Sequence, residues 1–243
     1  MKFLIFDISG KFAHFRRYET NSSSLSYSVP PRTTIYGLIA SVMGFERDSY
    51  YEMFTPERAK IGVQILSKNR KVLQTLNYLK ILSKGDFRRP EVHTQIPFEV
   101  LTNEKEVRYR IYFWNEDKEF MEEMERRLDQ GQFFYTPYMG TAPFQCMLCK
   151  KEADTELLES IKEPIEICTV TKINEIIEDS VDFFSKPLLL SREKMPRYFN
   201  HERYLQETES YLMETGGQCI NMQVTNEVLK VTYSDKTEYV TFL

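Results

Sequence analysis

Four short segments carry residues whose types and spacing suit contact with a polyanion. In Phe12-Ala13-His14-Phe15-Arg16-Arg17-Tyr18, a strand geometry puts Phe12, His14, Arg16 and Tyr18 on one face. Flat rings interleaved with cations suit unpaired nucleic acid, because rings stack on bases and guanidinium groups hold phosphate through paired hydrogen bonds. The pattern also fits an edge strand whose charges meet water. In Pro30-Pro31-Arg32-Thr33-Thr34-Ile35-Tyr36-Gly37 a helix begins, so several backbone N–H groups lack internal partners beside Arg32 and two hydroxyls. Such a start can take phosphate, and it can equally be capped by Thr33 or Thr34. Gly37 within the helix costs about 1 kcal/mol relative to Ala, which hints at a close backbone approach. The third segment, Arg88-Arg89-Pro90-Glu91-Val92-His93-Thr94-Gln95, lies beyond Lys80 and Lys84 and reads as a basic hairpin or a solvated loop. In the fourth, Tyr138-Met139-Gly140, a glycine between aromatics lets a backbone come close to a ligand, or simply makes a turn.

Other chemistry is set aside. Cys146 and Cys149 have zinc-like spacing, but no second pair follows, and in a strand they face opposite sides. Cys168, Cys219 and His201 have no ligand spacing to anything, so inert buried thiols and a reducing compartment are expected. Phosphate-loop, dinucleotide and nucleophile-elbow motifs are missing from the sequence. No metal or cofactor is expected.

The elements that must position these residues follow from periodicity. Residues 2–8 read as a strand buried on both faces, and Ser22–Ser28 as a loop. Ile35, Leu38, Ile39, Val42 and Met43 form a helical stripe that Gly44 stops. A short polar helix is expected near Asp48–Met53. Residues 60–66 and 71–82 read as strands, as do Val92–Val100 and Val107–Trp114, the latter two split by a turn at Thr102–Lys105. Arg108, Arg110, Tyr112 and Trp114 share a face that could bind a ligand or be covered by the C-terminal region. Asn115 is a good cap for a helix carrying Phe120, Met124 and Leu128, ended by Gly131. With the hairpin insertion removed, the order approximates the split βαβ ferredoxin-like pattern of an α+β fold. A boundary near 150–165 separates residues 1–150 from a mostly β region with short helices at 151–243, closed by a hairpin over 228–243.

The chain has 243 residues, 42% hydrophobic and 28% charged, which is ordinary globular composition. Net charge is −4, but residues 1–100 hold 15 Lys and Arg against 9 Asp and Glu, while 101–243 hold 17 against 27. An anionic ligand is therefore better received by the first half. Phe3–Phe6 is too short for a signal-peptide core, and no window reaches the length of a membrane span. A cytoplasmic protein is the default expectation.

The opening strand through Phe12–Tyr18, followed by Pro30-Pro31-Arg32-Thr33-Thr34-Ile35-Tyr36-Gly37-Leu38-Ile39-Ala40, resembles CRISPR-associated family five of the RAMP superfamily. Thr94–Leu101 and Tyr109–Tyr112 strengthen the likeness, and Tyr138-Met139-Gly140 resembles that superfamily's glycine-containing loop. It spans roughly residues 1–148 and is closest to the type I-B, Hmari-like branch. The resemblance implies an RRM-like N-terminal domain with a projecting thumb hairpin at about 68–95. It also implies a Cascade subunit in antiviral defence that holds the 5′ handle of the CRISPR RNA. Such a subunit caps the complex backbone and contacts the backbone and large subunits. The positions so implied for RNA contact are His14, Arg16, Arg17, Tyr18, Arg32, Thr33, Thr34, Tyr36 and Gly140, with Arg88 and Arg89 on the thumb. A type I-C subset is a metal-independent endoribonuclease using Tyr, Lys and His. Tyr36, Lys84 and His93 could nominally fill those roles, but Lys84 and His93 are not adjacent, a departure from that pattern.

Overall fold

The computed structural model describes residues 1–88 and 91–243. Strand β1 (Leu4–Ala13) is followed by the two-residue strands β2 (Phe15–Arg16) and β3 (Ser26–Tyr27), then helix α1 (Arg32–Met43). Strands β4 (Ala59–Ile65) and β5 (Arg70–Leu79), the five-residue helix α2 (Lys84–Arg88) and the 23-residue strand β6 (His93–Asn115) come next. Helix α3 (Lys118–Gln130) leads to β7 (Met147–Lys151). The central sheet runs β4-β6-β1-β7 with antiparallel pairing throughout, and β5 continues along β6 as a protruding arm. The chain is thus mixed α and β, mostly sheet with few helices.

Alternation in β1 explains the layering. Leu4, Phe6 and Ile8 point to one face and pack with Ile61, Val63, Ile111 and Phe113 beneath α1 and α3. Phe3 and Ile5 point to the other, where Tyr112 joins Leu229, Val231, Val240 and Phe242 from the end of the chain. That second face is covered by the sheet β13-β9-β15-β14-β8, built from β8 (Asp154–Leu158), β9 (Ile165–Ile167), β13 (Ile220–Met222), β14 (Val228–Thr232) and β15 (Thr237–Val240). A polar seam lies between the two sheets. Arg110 Nε bonds Asp7 Oδ1 at 2.7 Å, and the Tyr112 hydroxyl lies 2.6 Å from Gln64 Oε1 and 3.0 Å from Glu238 Oε2. The Arg110 and Tyr112 face is therefore occupied by the C-terminal region. The remaining strands, β10 (Thr171–Lys172), β11 (Leu190–Phe199) and β12 (Leu205–Glu214), form a sheet whose Met195, Tyr211 and Met213 join the helix-side core.

Three local expectations need correction. Residues 102–105 are not a turn. Between Gly10↔Val107 and Phe12↔Thr102, β1 advances by two residues and β6 by five, so the polar run bulges out of a continuous strand. The α3 cap is Asp117, whose carboxylate accepts from Phe120 N, because Asn115 is spent on Met53 O and Asp117 N. Cys168 and Cys219 are not free thiols but form a disulfide, since antiparallel pairing of Ile167 with Ile220 sets their Cα atoms 4.0 Å apart. Cys149 is exposed, while Cys146 is partly buried, and burial pushes its thiol up to about 12.

Candidate nucleic-acid interface

Helix α1 starts on Pro31, which supplies no side-chain cap; its carbonyl accepts from Thr34 N and Ile35 N instead. The Thr33 and Thr34 hydroxyls bond no other described residue, and both side chains are half-buried at the surface. They are shared by three adjoining depressions. One, of about 310 Å³, runs toward Arg16, Arg17 and Tyr18. A second, of about 370 Å³, is walled by aromatic rings, and a third, of about 230 Å³, runs along α1 over Gly37 and Ser41 to Tyr138 and Gly140. Together they form a trench across the helix start. Gly37 serves it by absence: an added Cβ would meet only the Tyr50 hydroxyl, at 3.5 Å, so the missing side chain leaves the trench open.

The sequence-derived residues divide into those on this trench and those beneath it. Arg16 and Tyr18 are exposed on it, and Arg16 Nη2 donates to Thr20 O. Arg17 lies at its edge but is held by Glu193, 2.8 Å away, and sits over the Tyr27 ring. Glu193 is buried and also accepts from Ser28 N and Ser28 Oγ, which ties β11 to the serine-rich loop.

Arg32 is not a surface contact. It is 1% exposed, and its guanidinium donates to the carbonyls of Phe54, Thr55 and Ala59 at 2.7, 3.2 and 2.7 Å. Burial pulls it down to about 10, which leaves it charged at neutral pH. The reason lies in the following segment, a 3-10 turn at Tyr51–Phe54 and the approach to β4, where the carbonyls of Phe54 and Ala59 would otherwise be buried without donors. His14 is also inside. The chain breaks strand geometry between β1 and β2, so His14 leaves the face shared by Arg16 and Tyr18. Its Nδ1 sits 2.7 Å from Glu99 O and its Nε2 3.0 Å from Ser24 Oγ, which fits a neutral ring donating from Nδ1; burial holds its pKa below the usual histidine value. The ring stacks on Phe98 at 4.1 Å.

Tyr36 is 1% exposed and stacks on Phe54, beneath the aromatic depression that it helps to line. Gly140 (φ +86°) makes its close approach to the protein itself: a Cβ there would come within 1.8 Å of His14 O. The glycine lets the Pro137–Phe144 loop seat on β1, with His14 N donating to Met139 O. The arm carries Arg88 at the end of α2, exposed, with Lys84 at the other end of α2 and His93 opening β6. Arg89 lies outside the described residues. Of the three residues the endoribonuclease pattern would use, Tyr36 lies in α1, Lys84 in α2 and His93 at the start of β6.

Sequence reasoning missed the wall facing Arg16 and Tyr18. Phe199 and Pro196 of β11, and Arg203 in the turn after it, line the depressions, as do Tyr50 and Tyr51. The signal was present: Arg197-Tyr198-Phe199 and Arg203-Tyr204 repeat the ring-and-cation alternation of Phe12–Tyr18.

The sequence model of the family described as "CRISPR-associated protein (Cas_Cas5)" matches residues 3–166. The chain belongs to this family. No curated protein matches the sequence. Among solved structures, a CRISPR protein from Archaeoglobus fulgidus shares the fold at TM-score 0.54 and 12% identity, covering 99% of each chain. A chain of a CRISPR RNA-guided surveillance complex aligns at TM-score 0.51 and 11% identity, over 92% of this chain and 91% of that one. A chain of the type III-B Cmr-beta complex bound to cognate target RNA and AMPPnP aligns at 0.53 and 12%, over 90% and 86%. At such identities the likeness is one of fold, and it runs through the C-terminal sheets of this Cas5-family chain as well as the region matched by sequence. No helix among the described residues is long and apolar enough to cross a membrane.

Proposed function

We propose that this Cas5-family chain is an RNA-binding subunit of a Cascade-type CRISPR complex, that it grips the 5′ handle of the CRISPR RNA in the α1 trench, and that it caps the complex backbone. The observation that carries the reading is the trench itself. Three depressions meet at Thr33 and Thr34, where a helix start whose hydroxyls bond no other described residue lies between exposed Arg16 and Tyr18 on one side and the Tyr138–Gly140 loop on the other. Helix starts favour anions, and rings beside cations favour unpaired bases. The strand order β4-β6-β1-β7, with α1 and α3 as the two crossovers, supports a ferredoxin-like, RRM-like core, and the β5–β6 arm is the counterpart of the expected thumb. Arg88 and Arg89 belong to that arm's RNA-facing role in this reading, and the backbone and large subunits are its protein partners. The type I-B branch and a cytoplasmic setting complete it.

The test is RNA affinity measured against salt. Arg16→Ala removes one exposed guanidinium and should lower the slope of log K on log salt by about 0.7. Thr34→Glu places a carboxylate at the helix start and should weaken binding several-fold with the fold intact. If both variants bind repeat-derived RNA with wild-type affinity and slope, the trench is not the site.

A further inference from the structure

The turn that leads into β11 holds apolar surface out in water. Val181 and Leu188, toward its two ends, pack into the apolar cluster around Ile167, Ile220 and Met222. Between them Phe183 is 54% exposed and Phe184 is 97% exposed, and Leu189 beyond them is half exposed. The turn that presents these rings is held at several points. Asp182 Oδ1 accepts from Phe184 N at 2.9 Å and from Ser185 N at 3.0 Å, which fixes the chain under the two rings. Asp182 N donates to Asn221 O, and Ser180 Oγ accepts from Gln223 N. Lys186 pairs with Glu166 at 2.6 Å, and Gln218 Nε2 donates to Pro187 O. A partner that covered Phe184 would therefore meet a segment already ordered, which removes part of the entropic cost of association.

The surrounding charge narrows what such a partner can be. Residues 159–186 hold seven Asp and Glu against three Lys. Lys172 is buried on Glu175 and Lys186 is taken by Glu166, which leaves Lys162. Glu178 and Asp179, just ahead of the rings, are exposed and form no ion pair among the described residues. Phosphates are repelled by such a surface, so neither RNA nor an anionic lipid layer suits it. A basic protein surface does, with charged groups at the rim and an aromatic anchor at the centre. The turn lies beyond residue 166, where the match to the family's sequence model ends, and none of its residues lines the trench.

We propose that the Phe183–Phe184 turn is a docking element for a protein partner, whose apolar pocket, rimmed by Lys or Arg, takes the Phe184 ring. Phe183 and Leu189 flank that anchor, and Glu178 and Asp179 meet the basic rim. Asp182 is a positioning residue, which holds both rings outward without touching the partner. The proposal does not rest on the RNA-binding reading.

The test replaces Phe184 by the photo-crosslinking residue p-benzoylphenylalanine in the full-length chain, expressed in its native cells, and maps the adducts by mass spectrometry. One protein adduct is expected, at a segment where apolar residues stand beside Lys or Arg. Glu178→Lys combined with Asp179→Asn should cut its yield several-fold. Asp182→Ala, which keeps both rings but releases the turn, should do the same, and Asp182→Asn, whose side-chain oxygen can rebuild the turn, should restore it. Against the purified partner, Phe184→Ala should weaken binding about tenfold or more while leaving the thermal midpoint and the affinity for RNA unchanged. An adduct to RNA, to lipid or to a second copy of this chain overturns the proposal. So does the absence of an adduct, or a protein adduct whose yield is indifferent to the acidic variant or to Asp182→Ala. None of these outcomes touches the trench, whose own test is the salt dependence of RNA binding.

Discussion

Replacing Arg32 by alanine should unfold this protein more readily, and should not act as the loss of a phosphate contact. The guanidinium makes three hydrogen bonds to main-chain carbonyls, two of them fully buried, and is itself 1% exposed. Hydrogen bonds from a charged donor contribute about 1.5–3 kcal/mol each. Those contributions do not add, and each buried acceptor left without a donor costs about 1–3 kcal/mol. About 4 kcal/mol is therefore expected from orphaning the carbonyls of Phe54 and Ala59, since Thr55 O keeps Arg58 N and Ala59 N. At roughly 2–4 °C per kcal/mol for a chain of this size, the midpoint should fall by about 8–16 °C. Thermal unfolding followed by circular dichroism reads this directly. Arg32→Lys sharpens the test. An ammonium keeps the charge but cannot span three carbonyls in a plane, so it should melt nearly as early as the alanine variant. A phosphate contact would instead tolerate lysine. If Arg32→Ala melts with the wild type while flattening the salt dependence of RNA binding, the structural role is wrong and the guanidinium belongs to the trench.

Two further outcomes follow from buried groups. Burial holds His14 below its ordinary pKa of 6.5, so the unfolded chain binds a proton that the folded one refuses. Stability should fall as pH drops through 6.5 toward the folded value and should level off below that; His14→Gln should remove this part of the slope in a urea-denaturation series across pH 5–8. Reducing the Cys168–Cys219 disulfide reopens a loop with a sequence separation of 51, which carries β10, β11 and β12. Loop-closure entropy puts the loss at up to about 4 kcal/mol. Cys168→Ser should lower the denaturation midpoint under non-oxidising and oxidising conditions alike, whereas dithiothreitol should lower only the wild type; equal response of both proteins to the reductant would remove the bond from consideration.

The order and character of the main elements were legible because their signals are local. The α1 stripe of Ile35, Ile39 and Val42 and its Gly44 stop, and the α3 stripe ending at Gly131, depend only on spacing within one helix. The arm was legible from two long strands with basic residues between them. What could not be read depends on partners distant in sequence. Arg32 beside free helix amides looks like an anion site until the carbonyls of residues 54–59 come to meet it. His14 alternates correctly with Arg16 until Glu99 and Ser24 draw it inward. Gly140 needs freedom for His14 O rather than for a ligand. The disulfide needed the pairing of β9 with β13, and the Phe199–Arg203 wall needed β11 and β12 to fold back over α1. Arg32, His14, Gly140 and the two cysteines were noticed and given the wrong neighbours, whereas the Phe199–Arg203 wall was not noticed at all.

The bulge at the root of the arm has a further consequence. A β-ladder passes its heading from one residue to the next, so a long hairpin normally continues the line of the sheet that bears it. Here residues 103–106 are surplus to the pairing with β1. They are fixed by Asn103, which donates to Lys68 O and accepts from Lys105 N, and by Lys11, which donates to Lys105 O. The arm's aim is therefore set by four residues that touch neither its tip nor the trench. Adding two residues to each strand beyond this corner would lengthen the reach by about 6.6 Å and keep every side chain on its side. Adding one would turn the whole arm inside out. Reach and direction can thus be altered separately, the first along the hairpin and the second at its corner, without disturbing the core.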